Sequence, residues 1–192
     1  MNDYRLFIAV ELPPEARRAL ASLSRTLDCG RAVRWTKPEN IHLTLQFLGN
    51  TPAGRVEAIA AALRTTIPPL SPFRLALAGV GAFPNVRRPR VVWVGVAGER
   101  ERLAELHRAV IAATQTVGFQ PEDRPFKPHL TIARVQKWAG RNDYARIEAA
   151  LRDSDIGRVA ALPVGEVHLI RSQLKPDGPV YTSLAVIPLR GG

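Results

Sequence analysis

Cysteine is nearly absent: Cys29 is the only one among 192 residues. No intrachain disulfide can form, and no metal site built on cysteines is available. A reducing compartment, the cytoplasm, is the expected setting. Lysine is almost as scarce. Lys37, Lys127, Lys137 and Lys175 are the only four, so nearly all of the net charge of +10 rests on arginine. Long apolar runs are missing as well. The first, residues 6–10, ends at Glu11 and is too short for the apolar core of a secretion signal. No stretch is long enough to span a membrane, so no membrane association is expected.

What is present is ordinary for a globular chain: 46% hydrophobic and 23% charged residues. The length suits one domain over residues 1–192, with room for two lobes and a real core. The positive balance favours a polyanionic partner, most often nucleic acid; a solvated arginine-rich surface is the plainer alternative.

Periodicity orders the chain as β-α-β-α-β-β-α-β-α-β-β. Strands are predicted at 4–12, 41–48, 73–82, 91–96, 129–135, 166–173 and 180–187. Pro13-Pro14 opens a helix carrying Ala16, Leu20, Leu23 and Leu27, which Gly30 can end. Gly49-Asn50 stops the second strand, and Thr51-Pro52 starts a helix carrying Val56, Ile59, Leu63 and Ile67. A third helix spans 99–117, and Asp143 caps a fourth carrying Tyr144, Ile147 and Leu151. Lys175-Pro176-Asp177-Gly178 reads as the turn between the last two strands.

An offset of 87 residues, the step from His42 to His129, lays the second half of this pattern on the first. The chain therefore reads as an internal duplication. The expected fold is α+β and bilobal: two facing, antiparallel-rich sheets with outer helices and a groove between them.

The repeat is sharpest at Lys37-Pro38-Glu39-Asn40-Ile41-His42-Leu43-Thr44-Leu45 and Lys127-Pro128-His129-Leu130-Thr131-Ile132. Two of four histidines followed by Leu-Thr arise by chance on the order of 1 in 5,000. A single copy would be read as structural; the pair, at duplicated positions, is read as functional. On a strand, residues i and i+2 share a face, about 7 Å apart. His42 and Thr44 then face one way while Leu43 and Leu45 enter the core, and His129 and Thr131 do the same over Leu130 and Ile132. Two such faces across a groove suit a small tetrahedral anion. Threonine hydroxyls can donate to phosphate oxygens, and imidazoles titrate near neutrality, so one can be neutral and the other protonated. A metal site is the rival, but no cluster of Asp, Glu or Cys surrounds either histidine; Glu39 is the only carboxylate close in sequence. No metal and no cofactor is expected.

These motifs resemble the two-histidine phosphoesterase superfamily, defined by paired HxTx motifs, and within it the RNA 2',3'-cyclic phosphodiesterases, also called LigT-like or 2'-5' RNA ligases. Residues 5–10, 42–49, 91–96, 126–134 and 178–181 carry the likeness, which runs over nearly the whole chain. The resemblance implies the bilobal duplicated fold, His42 as proton donor, His129 as proton acceptor, and Thr44 and Thr131 as phosphate binders. Sequence alone does not say which histidine is acid and which is base. The implied activity is hydrolysis of RNA 2',3'-cyclic phosphate ends to 2'-phosphates without metal, with ATP-independent 2'-5' ligation as a related reaction. RNA with such ends, tRNA fragments included, is the implied partner, and no obligate protein partner is expected. The alternatives are a non-catalytic nucleotide- or RNA-binding module, and a phosphodiesterase for small cyclic phosphates such as ADP-ribose 1'',2''-cyclic phosphate.

Further candidates are weaker. Arg134 resembles a phosphate-proximal position, but strict alternation turns it away from His129 unless the strand bulges. Arg87, Arg88 and Arg90 form a basic loop suited to RNA phosphates. Tyr181 suits stacking on a base or contact with phosphate, and core packing equally. Phe47, Trp93 and Trp138 are expected in the core, and His107 and His168 are expected to be non-catalytic.

Overall fold

A computed structural model describes residues 3–154, 156–176 and 178–191. The elements are β1 (Asp3–Glu11), α1 (Pro14–Thr26), β2 (Val33–Trp35), β3 (His42–Pro52), α2 (Val56–Thr66), β4 (Phe73–Phe83), β5 (Val91–Gly98), α3 (Arg100–Thr116), β6 (His129–Val135), α4 (Arg141–Arg152), β7 (Arg158–Val164), β8 (Glu166–Lys175) and β9 (Gly178–Pro188). They form an α+β fold with two sheets, ordered β3-β1-β8-β9 and β2-β6-β5-β4-β7. Every strand pair is antiparallel.

The duplication is interlocked. The strand that follows α2, β4, pairs with β5 of the second half; a strand that follows α4, β8, pairs with β1 of the first half. Each sheet thus draws on both halves of the sequence. One hydrophobic core joins Leu6, Ile8 and Val10 of β1, Leu43 and Leu45 of β3, Leu103 and Leu106 of α3, and Leu130 and Ile132 of β6. The other face of β1 holds a separate small cluster of Phe7, Ala9 and Ile170, with Tyr181 against it. Burial on both faces explains why β1 reads as an unbroken apolar run rather than an alternating one. α2 packs against α3 and β9, α3 against β3, and α1 against β7. Among the described residues no helix is long and apolar enough to cross a membrane.

The structure departs from the sequence pattern in five places. Two short strands, β2 and β7, were not predicted. β2 has three residues, too few for periodicity to register. β7 contains Pro163 and lies at a sheet edge, where a residue without an N–H is tolerated. Gly49 does not stop the second strand: it sits at φ 69° in an irregularity of the β1–β3 ladder, and β3 runs on to Pro52. The following helix begins at Val56, after a 3₁₀ turn over Ala53–Arg55, and not at Thr51. Asp143 lies in the first turn of α4, where its Oδ2 accepts the Gly140 N–H at 2.9 Å, capping from inside. In the last hairpin Lys175 pairs with Gly178, and Asp177 lies outside the described residues.

Candidate active site

The two motif strands β3 and β6 touch each other, one from each sheet. Each opens on its histidine, and the first six residues of each run half-buried, buried, half-buried, buried, buried, exposed. The break in alternation has the same cause in both. Ile8 pairs with Gln46 and Ala9 with Thr44, leaving Leu45 extra; Val92 pairs with Ala133 and Trp93 with Thr131, leaving Ile132 extra. An extra residue is a β-bulge, and it reverses the faces beyond it. The bulges lie at positions related by the 87-residue offset. In β3 the second inward residue is Gln46, whose buried Oε1 accepts the Thr114 hydroxyl at 2.8 Å and ties the bulge to α3. In β6 the Ile132 carbonyl accepts the Thr36 N–H at 2.8 Å.

The bulges settle two expectations. Arg134 falls on the face of His129 and Thr131, and it is exposed. Phe47 is not in the core. It falls on the face of Phe7, its partner on β1, and is 57% exposed. Trp138 is also out of the core, 58% exposed, with the Arg31 guanidinium 5.9 Å from its ring.

Each histidine is held by the backbone two residues upstream. His129 Nδ1 lies 2.7 Å from the Lys127 carbonyl oxygen. A carbonyl only accepts, so Nδ1 donates this bond, and Nε2 is the ring nitrogen left for other chemistry. His42 bonds to the backbone of Asn40. Asn40 is itself anchored, its Nδ2 donating to the Pro179 carbonyl at 3.0 Å. Aromatic rings fix both imidazoles. Phe7 stacks on His42 at 4.6 Å, and Tyr181 meets it edge-on at 5.2 Å. Phe83 meets His129 edge-on at 4.8 Å. The Trp93 ring, 5.4 Å from Phe83, lies over Gly81, where a Cβ would collide with it. Phe7 and Phe83 carry no sequence signal, because a strand-borne Phe reads as core.

Burial between the aromatic rings pushes His42 down to about 4, against a smaller upward pull from the Asn40 backbone. It is therefore neutral at pH 7. An unfolded chain takes up this proton near pH 6.5 while the folded chain refuses it until about 4. Stability therefore falls as pH drops through that window. The expected result is an acid-induced decrease in denaturation midpoint that is smaller in His42→Gln. Equal slopes for the two proteins would reject the assignment.

The remaining residues divide. Tyr181 is half-buried; burial raises its phenol, while the charges of Arg134 and Arg5 lower it. Arg134 pairs across the ladder with Arg34 of β2, whose Nη2 would stand 3.8 Å from a Cβ on Gly178. Arg87, Arg88 and Arg90 lie on the β4–β5 hairpin, which starts at Phe83, with Arg87, Arg88 and Arg90 reaching solvent; Asn85 Oδ1 accepts the N–H groups of Arg87 and Arg88. Glu11 is the strand partner of His42 on β1, and its carboxylate accepts from Arg17 at 3.3 Å. His168 is buried, with Ser183 Oγ at 3.1 Å and Glu166 Oε1 at 3.0 Å occupying its two ring nitrogens. His107 stacks on Phe126 at 3.9 Å and so steadies the loop that leads into His129.

A family model described as LigT like Phosphoesterase matches the chain twice, over residues 10–93 and 94–181. A protein of Methanothermobacter thermautotrophicus called RNA 2',3'-cyclic phosphodiesterase is 37% identical over 186 residues, covering 96% of this chain and 98% of that one. The crystal structure of a Thermus thermophilus protein is similar at a TM-score of 0.81 and 34% identity, covering 97% of this chain and 98% of that one. E. coli LigT complexed with 3'-AMP is similar at a TM-score of 0.77 and 26% identity, covering 98% and 99%. The two tandem matches meet within β5, near the start of the second repeat, and each contains its own bulged His-x-Thr strand. On sequence and on fold alike, the chain belongs to the LigT-like phosphoesterase family.

Proposed function

We propose that the protein hydrolyses the 2',3'-cyclic phosphate at the end of RNA to a 2'-phosphate, without metal, using His129 as base and His42 as proton donor. The observation that carries this reading is the repeated site: two touching strands, each with a His-x-Thr, a bulge at the same place, and an imidazole tied to backbone two residues upstream. The names of the relatives support the substrate class, and the nucleotide complex of E. coli LigT supports a nucleotide-sized groove.

Water attacks phosphorus in line with the 3'-oxygen and loses its proton to His129 Nε2. The P–O3' bond breaks, and O3' takes the proton of His42. Thr44 and Thr131 donate to the non-bridging oxygens, where charge accumulates. Burial holds His42 neutral at pH 7, so the negative charge of the phosphate must raise its proton affinity before it can act as acid. If an RNA 5'-hydroxyl replaces water, the same steps give a 2'-5' linkage without ATP. Arg134 and Tyr181 would border the phosphate. Arg87, Arg88 and Arg90 would hold upstream phosphates of an RNA strand, tRNA fragments among them, in the cytoplasm.

The test is product analysis on an oligonucleotide ending in a 2',3'-cyclic phosphate, with EDTA present. Turnover to the 2'-phosphate is expected. Binding without turnover would favour a non-catalytic module, and loss of turnover in EDTA would reject the metal-free mechanism.

A further inference from the structure

An RNA with a cyclic phosphate end is a chain, and only its last nucleotide reacts. The nucleotides before it must cross the surface of the protein. Single-stranded nucleic acid is held there by two features that ignore sequence, unpaired positive charge and exposed aromatic rings.

Among the described residues only two aromatic side chains are exposed, Phe47 and Trp138. Phe47 borders the catalytic strands; Trp138 lies away from them. It sits three residues past the end of β6, in a turn that the Ala139 N–H closes on the Gln136 carbonyl at 3.1 Å. The Arg31 guanidinium stands 5.9 Å from its ring. Arg31 and Lys137 are exposed, and exposed Arg141 opens α4 three residues on. None of these three cations forms an ion pair among the described residues. The neighbouring carboxylates are engaged elsewhere: Asp28 by Arg146 at 2.6 Å, and Asp143 by the Gly140 N–H. The patch is also continuous with the catalytic strand. β6 leaves His129, carries Arg134 opposite Arg34, and stays joined to the chain before β2 until the Gln136 N–H meets the Ala32 carbonyl at 2.8 Å. Beside it the Val135 N–H donates to the Arg90 carbonyl at 3.0 Å, which brings the base of the basic β4–β5 hairpin to the same end. From His129 to Val135 is about 20 Å of strand, room for more than one nucleotide.

We propose that Trp138, with Arg31 and Lys137, forms an RNA contact outside the catalytic groove. The indole stacks on a base upstream of the terminal nucleotide, and the two cations hold the adjoining phosphates. The substrate class is then single-stranded RNA of several nucleotides rather than a cyclic mononucleotide. This rests on the phosphodiesterase reading above. Every base offers a π face to the indole, so the contact confers a preference for length and none for sequence. The guanidinium and ammonium give each phosphate a charge-assisted hydrogen bond.

The experiment compares wild type, Trp138→Ala, Trp138→Phe and the double variant Arg31→Gln/Lys137→Gln. The substrates are adenosine 2',3'-cyclic monophosphate and a hexaadenylate ending in the same group. Calorimetry measures binding of the hexaadenylate carrying a 2'-phosphate end. Wild type is expected to prefer the hexanucleotide. Trp138→Ala raises its KM about tenfold, the loss of one base stack, with kcat unchanged and the mononucleotide unaffected. Trp138→Phe keeps most of the preference, whereas a merely structural role for Trp138 would move both substrates together. The double variant lowers the slope of log affinity against log salt by about 1.4, the share of two phosphate contacts on a single strand. Equal kcat/KM on the two substrates in wild type would overturn the proposal. Unchanged hexanucleotide affinity in Trp138→Ala would also overturn it, and leave the ring to a protein partner. A wild type that turns over neither substrate, yet binds the hexanucleotide through Trp138, would overturn the phosphodiesterase reading and support the RNA contact.

Discussion

Replacing His129 with alanine lowers kcat/KM on a 2',3'-cyclic phosphate by about 10²–10⁴-fold, the usual loss of one acid–base group. The ring is half-buried at the start of β6, held by the Lys127 carbonyl and by Phe83, and it is not part of the main core. The variant should therefore melt close to wild type. His42→Ala should lose activity on the same scale. His42 supports the Phe7 and Tyr181 rings, so its removal should also lower stability modestly, which a thermal melt reads separately. The double variant should be little worse than either single one, because acid and base act on one transition state. Substantial turnover by either single variant in a sensitive assay would remove the two-histidine mechanism.

Leu130→Ala is expected to destabilise the fold by about 2–5 kcal/mol, the cost of a large cavity in a close-packed core. Leu130 is fully buried between His129 and Thr131, in the core shared by both sheets. For a chain of this size each kcal/mol lowers Tm by roughly 2–4 °C, so a fall of about 4–20 °C should appear in a thermal melt. Activity should fall as well, since the residue that anchors the strand also spaces its histidine from its threonine. An unchanged melting temperature would show that Leu130 does not bear on the core in this way.

Both expectations come from one feature of a strand, its period of two. The motif His-Leu-Thr is legible for that reason: the polar positions define one face and the apolar positions the other, and Leu43, Leu45, Leu130 and Ile132 are all buried. Among the described residues, four helices were legible from their apolar stripes, and seven of the nine strands from their patterning. The limits of the same reasoning lie one residue further along. Beyond Thr44 and Thr131 each strand inserts a bulge, so Phe47 and Arg134 face the opposite way from strict alternation. Whether a strand bulges depends on the register of its partner, and no local preference of Leu45 or Ile132 reports that register. β2 escaped because three residues carry no period, and β7 because Pro163 argues against a strand unless its edge position is known.

The amino-acid sequence by itself determined that the fold is doubled, that its class is α+β, and which two side chains, a histidine and a threonine, repeat at the centre of each half. These follow from short-range periodicity and from an offset that is visible along the chain. Tertiary structure alone decided what surrounds them. β4 and β8 cross into the opposite half's sheet; Phe7, Phe83 and Tyr181 close around the imidazoles; the bulges bring an aromatic ring to one flank and a guanidinium to the other. Such contacts join residues far apart in sequence, and their geometry is set by strand pairing and burial rather than by the identity of any neighbour along the chain.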